Sequence, residues 1–174
     1  LPKRNSHRHG SKEEGDGMKV LVRWYTLVAK AASYLQSPLL LAVRLYWGWQ
    51  FAQTGWGKLQ HIGKIAEFFA SLNIPYPAFN AHFVSGLEFL GGILLAIGLG
   101  CRLVGLLLAG NMLVAYWTAD HDAFVSFFSD PGKFYVADPY TFLFASLLVS
   151  IFGAGLFSVD TLLKKVFEGK TAQA

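Results

Sequence analysis

The sequence predicts an all-α fold: a four-transmembrane-helix bundle with amphipathic interfacial helices at both termini and in the first outer loop. Three observations predict it. The chain is 53% hydrophobic and only 15% charged, against about 45–50% and about 25% in soluble domains. Its apolar residues gather into runs near the roughly 20 residues that a helix needs to cross a bilayer core. The few polar residues inside those runs recur at three- and four-residue steps, the period of a helix face.

Residues 1–17 are polar and charged and read as a disordered tail, with His7 and His9 too isolated to suggest a metal site. The chain does not begin with Met, and Met18 is a candidate natural start. Residues 18–37 form an amphipathic interfacial helix. Val20, Leu21, Trp24, Leu27, Val28, Ala31 and Leu35 share one face; Lys19, Arg23, Thr26 and Lys30 share another. Ser37-Pro38 then reads as an N-cap followed by proline at the first helical position, opening a four-span domain over residues 38–158.

The first span, about Leu39–Gly57, carries Arg44, Gln50 and Gln53, with Lys58 just beyond. Arg44, Gly48, Phe51, Gly55 and Lys58 fall on one stripe, a cation at each end and glycines between. Such a stripe belongs inside a bundle, where small residues let backbones approach. Trp47 and Trp49 add bulk, and Trp56 suits an interfacial belt. Leu59–Ala81 is too polar to span. It predicts a short amphipathic helix across the outer mouth, broken at Asn73-Ile-Pro-Tyr-Pro77 and flanked by solvated or interfacial His61 and His82.

The second span, Ala81–Arg102, holds the acid Glu88 on a small-residue stripe with Ser85, Gly92, Ala96 and Leu99. A carboxylate at that depth costs about 2.5–3.5 kcal/mol on insertion scales unless it is paired, protonated or wetted. Counting residues inward from the outer face sets Glu88 level with Gln50 and Gln53. Lys58 is then its easier partner, and Arg44 is better placed for Asp160 or for carbonyls at the opposite end. The third span, about Leu103–Ala119, has its own small pair, Gly105 and Ala109. Its one amide, Asn111, is expected to hydrogen-bond across to a neighbouring helix. In the acidic loop Asp120–Asp138, Phe124, Val125, Phe127 and Phe128 dip into the interface and Asp130-Pro-Gly132 turns. A fourth span follows, about Pro139–Leu156. Residues 159–174 form a basic amphipathic helix and tail, capped by Ser158 or Asp160.

The charge of +4 sits mostly at the termini. By the positive-inside rule both termini, with Arg102 and Asp160, are cytoplasmic, and the surface is set for anionic lipid rather than nucleic acid. Cys101 is the sole cysteine. Neither an intramolecular disulfide nor a CxxC redox pair can form, and no metal site is expected. No Rossmann glycine fingerprint and no paired intramembrane histidines for haem occur.

The runs R-L-Y-W-G-W-Q-F at Arg44, G-W-G-K-L at Gly55–Leu59, E-F-L-G-G-I-L-L-A-I-G-L-G-C-R at Glu88–Arg102 and G-A-G-L-F-S-V-D at Gly153–Asp160 together resemble the DoxX family of small four-span membrane proteins. Where that family commonly has proline between the last two glycines, this chain has Ala154. The resemblance implies a membrane subunit or accessory of a quinone-linked oxidoreductase or of an oxidative- or thiol-stress complex in a bacterial-type cytoplasmic membrane. Glu88 and Lys58 would then be the catalytic pair. Arg44, Gln50, Gln53, Phe51, Trp47 and Trp56 would line a substrate or quinone pocket, while Gly48, Gly55, Gly92, Ala96, Gly105 and Asn111 pack helices. No cofactor-binding motif is present, so quinone is the cofactor to test. A partner redox subunit or a second copy is the partner to test. A non-enzymatic assembly protein with structural ion pairs, and a small oligomeric proton-coupled transporter, remain alternatives.

Overall fold

The computed structural model describes the backbone of residues 7–171 and the side chains of residues 18–166 other than Val20. All its regular structure is helical among the described residues: α1 His7–Gln60, α2 Ile62–Ser71, α3 Pro77–Ile97, α4 Cys101–Thr118, α5 His121–Val125, α6 Pro131–Val136, α7 Pro139–Phe152 and α8 Val159–Thr171. Residues 1–36 and 37–174 are separate compact units. In the first, residues 1–6 of the expected tail lie outside the described residues, and the backbone from His7 is helical.

The helix start expected at Ser37-Pro38 does not form: Pro38 lies inside α1. Proline removes one backbone donor, but in an apolar setting the neighbouring hydrogen bonds persist and the helix is tolerated. The Ser37 hydroxyl, free of a capping role, accepts the Leu156 N–H at 3.3 Å.

Three helical stretches are long and apolar enough to cross a membrane: Leu21–Gln60, Pro77–Ile97 and Cys101–Thr118. The fourth expected span is shorter than the sequence suggests. α7 is apolar but has 14 residues, about 21 Å of helix against a hydrocarbon core of about 30 Å. Gly153, at φ 78° and ψ −163°, turns the chain out of the helix, so GAGLFS continues as irregular backbone. The second span starts earlier than expected, at Pro77, where proline occupies the first turn. Asp130 and Pro131 open the short helix α6 rather than a bare turn.

The outward faces of the second unit are apolar. Leu90, Ile93 and Ile97 on α3, Leu103, Leu106 and Val114 on α4, and Phe144 and Ile151 on α7 are all exposed. A surface so continuously apolar is one that lipid covers. Inside, Phe51, Leu95, Leu108, Met112, Tyr116 and Val149 share a core. In the last turn of α4, the Tyr116 ring stacks on Phe134 at 4.7 Å and its hydroxyl donates to the Phe134 carbonyl at 2.7 Å, anchoring the loop between α4 and α7.

α1 and α3 meet along the two predicted stripes. Gly48 faces Gly92 and Ala96, and Gly55 faces Ser85 and Phe89, so closely that no side chain fits at either glycine. Gly105 plays the same part for α4 against Ser146 and Ser150 of α7. A methyl on Gly92 would stand 2.5 Å from the Gly48 carbonyl oxygen, whereas one on Gly86 would meet nothing within 4 Å. Gly92→Ala is therefore expected to cost about 1–3 kcal/mol through overpacking. Gly86→Ala, on the same helix, should gain up to about 1 kcal/mol from helix propensity. Thermal unfolding of the purified protein in detergent compares them.

Candidate functional site

The glycine contacts bring α1, α3 and α4 together around one acid. Glu88 sits midway along α3 and is 2% exposed. Lys58, in the last turn of α1, donates from Nζ to both carboxylate oxygens at 2.7 Å. On α4, Asn111 Nδ2 donates to Oε1 at 3.0 Å, and the Thr54 hydroxyl lies 3.4 Å from Oε2 while also facing the Phe51 and Gln50 carbonyls at 3.0 and 3.1 Å. A carboxylate offers about four acceptor positions, and here Lys58 and Asn111 take three of them. The acid is buried but the lysine is not: its side chain is 34% exposed. The cluster therefore joins a closed carboxylate to an accessible ammonium.

Depth and helical period thus locate the Lys58–Glu88 pair correctly but misplace its neighbours. Gln50 is half-buried and Gln53 exposed, and neither bonds to Glu88 among the described residues. Matching depth fixes height along a helix but not angle around it. Thr54, four residues before Lys58, shares the lysine's face, and that spacing was the available signal. Asn111 does bond across helices as expected, and its partner is the site's own acid.

The aromatic residues fall into two groups. Trp47 and the fully buried Phe51 both pack edge-on against Phe142, at 5.2 and 4.6 Å. Trp56 is half-exposed and lies 5.3 Å from Phe89.

Arg44 belongs to the other end of the bundle, fourteen residues before Lys58 on α1, or about 21 Å along the axis. It is fully buried and donates from Nη2 to the Phe157 carbonyl, while its Nε and Nη1 have no partner. Gly98, at φ 82°, lies directly against the guanidinium; neither that backbone conformation nor that space admits a side chain. Arg44 thus engages a carbonyl, one of its two expected partners. Asp160 instead accepts the Gly100 and Cys101 N–H groups at 2.7 and 3.1 Å, a carboxylate at the positive end of α4. Ser158 caps α8, accepting the Thr161 N–H at 3.2 Å.

His61 and His82 each bond locally, to the Gly57 and Ala78 carbonyls at 3.0 and 2.8 Å. Among the described residues no three His, Cys, Asp or Glu side chains converge as a metal site. Partial burial, with Asp138 nearby, raises the Asp120 carboxyl above its ordinary range.

A helical bundle with apolar outward faces and a lysine–glutamate pair inside defines a small integral membrane protein. Residues 39–121 match the model of the DoxX family. It is 29% identical over 130 residues to a Bacillus subtilis (strain 168) protein named "Putative oxidoreductase CatD", an alignment covering 75% of this chain and 88% of that one. No solved structure matches. The matched stretch contains Arg44, Thr54, Lys58, Glu88 and Asn111, so both buried charge sites lie within it.

Asn111→Leu removes one of the donors to Glu88 and leaves Lys58 in place. It is expected to lower stability by about 0.6–2 kcal/mol, with a smaller loss for Thr54→Val because that contact is longer, both read by thermal unfolding.

Proposed function

We propose that this chain is the membrane subunit or accessory of a quinone-linked oxidoreductase or thiol-stress complex, and that the Glu88–Lys58 cluster is its working centre. One observation carries the reading: a carboxylate that is 2% exposed is bonded by a lysine whose side chain is 34% exposed. Intramembrane ionisable residues mark proton and substrate paths by default. The relative's printed name supports redox chemistry in the broad sense.

The residues present fit a quinone. Lys58 Nζ has three N–H groups, of which two face Glu88. The third can donate to a carbonyl oxygen and stabilise the negative charge that develops there on reduction. Trp56 and Phe89, on adjoining helices, put two tilted aromatic rings 5.3 Å apart as an apolar wall. A bound quinone would supply two-electron redox chemistry, with the reductant delivered by a partner redox subunit. This chain's own part is to exchange a proton at a Glu88 carboxylate oxygen and to hold the anionic oxygen with Lys58. The lysine and arginine excess at the termini supports a bacterial-type cytoplasmic membrane with both termini in the cytoplasm.

A second reading has its own support. Both Glu88 carboxylate oxygens are engaged by Lys58 and one also by Asn111, as in a purely structural ion pair of an assembly protein. Quinone binding by the protein purified in mild detergent separates the two. Under the redox reading the wild type retains quinone, and Glu88→Gln and Lys58→Ala weaken it roughly 10–100-fold, the scale of one charge-assisted hydrogen bond. Folded variants that retain full quinone affinity would overturn that reading. A wild type that binds no quinone, with variants that lose only thermal stability, would establish the structural one.

A further inference from the structure

We infer that the cleft between the start of α4, the end of α7 and the start of α8 is a binding site for the phosphate headgroup of an anionic phospholipid. This site is separate from the Glu88 cluster and does not depend on the redox reading. The cleft has a volume of about 490 Å³ and is lined by Arg102, Gly153, Thr161 and Lys164, with Leu103 and Phe152 on its apolar side.

Four features point to that ligand. First, the Arg102 side chain is exposed and makes no hydrogen bond or ion pair with any described residue. A guanidinium presents paired donors matched to phosphate oxygens. Second, Gly153 leaves space beside it: a methyl there would stand 3.3 Å from the Arg102 Nε. Third, Asp160 is the cleft's one acid, and its carboxylate is engaged by the Gly100 and Cys101 N–H groups. Fourth, the cleft lies where apolar helices end, α4 beginning at Cys101 and α7 finishing at Phe152. That is headgroup level, and the exposed Leu103, Leu106 and Phe152 offer a lipid-covered wall for acyl chains. Basic pockets between helices at this level hold anionic headgroups. Inorganic phosphate shares the headgroup chemistry but has no chains to lie on that wall.

Native mass spectrometry and thermal unfolding of the full-length protein in neutral detergent test this, with phosphatidylglycerol, phosphatidylcholine or inorganic phosphate added. Phosphatidylglycerol is expected to bind roughly ten-fold more tightly than phosphatidylcholine and to raise the melting temperature. Arg102→Gln and Lys164→Gln should each reduce phosphatidylglycerol affinity about five-fold, and Arg102→Gln should leave the lipid-free melting temperature unchanged. Arg102→Lys should restore part of the affinity. Should Arg102→Gln fail to fold, Lys164→Gln carries the test alone. Equal binding of the two lipids would overturn the proposal. So would full phosphatidylglycerol affinity in both folded Gln variants. Inorganic phosphate that displaces phosphatidylglycerol at equal concentration would make this a free-phosphate site and overturn the lipid assignment.

Discussion

An acid buried in an apolar bundle needs donors brought to it, and Glu88 receives them from two neighbouring helices. Lys58 comes from α1 and Asn111 from α4, with Thr54 completing the set. Taking a carboxylate and an ammonium out of water costs several kcal/mol per ion, and the cost is offset only when geometry is close and the remaining lone pairs are filled. The Lys58 contacts are 2.7 Å and Asn111 adds a further donor, while Lys58 stays partly exposed and so loses less of its hydration. The pair also constrains register, because α1 and α3 can slide or rotate little without drawing the donors away from the acid.

That constraint depends on backbone proximity, which the glycines provide. Gly48, Gly55 and Gly92 remove the side chains that would hold α1 and α3 apart, so Lys58 can reach inward. At the far end of the same stripe Arg44 repeats the device with a different partner. It passes across Gly98 to the Phe157 carbonyl and holds the segment that leads into α8. One helix face thus ends in two cations, one tied to an acid from another helix and one tied to irregular backbone. The two differ in access: Arg44 is sealed, whereas Lys58 is partly open. This difference is why the redox proposal rests on Lys58 and Glu88 rather than on Arg44.

The helical stripes were legible because period and residue size suffice to find them. Arg44, Gly48, Phe51 and Gly55 are all buried as their spacing requires, and so are Ser85, Glu88 and Gly92. The ion pair followed from counting depth along two antiparallel helices. Other features were not legible, for physical reasons. Pro38 is a helix breaker in water, and its local signal gives no hint that α1 continues through it. The length of α7 turned on Gly153 adopting a positive φ, whereas hydropathy ran on through Leu156. Asp160 met the N-terminus of α4 instead of Arg44 because loop geometry, not sequence spacing, decides which charges meet. Thr54 and Asn111 are common helix residues until a third helix gives them an acid to bond.

A double-mutant cycle on Lys58 and Glu88 measures how strongly the two charges are coupled. Thermal and denaturant unfolding would compare Lys58→Met, Glu88→Leu and the double variant with the wild type. Lys58→Met leaves Glu88 buried without its cation and is predicted to cost about 3–5 kcal/mol; Glu88→Leu leaves a partly exposed lysine and should cost less. The double variant should be less destabilised than Lys58→Met alone. Additive losses, with the double variant equal to the sum of the singles, would show that the two charges are not coupled and would contradict the account.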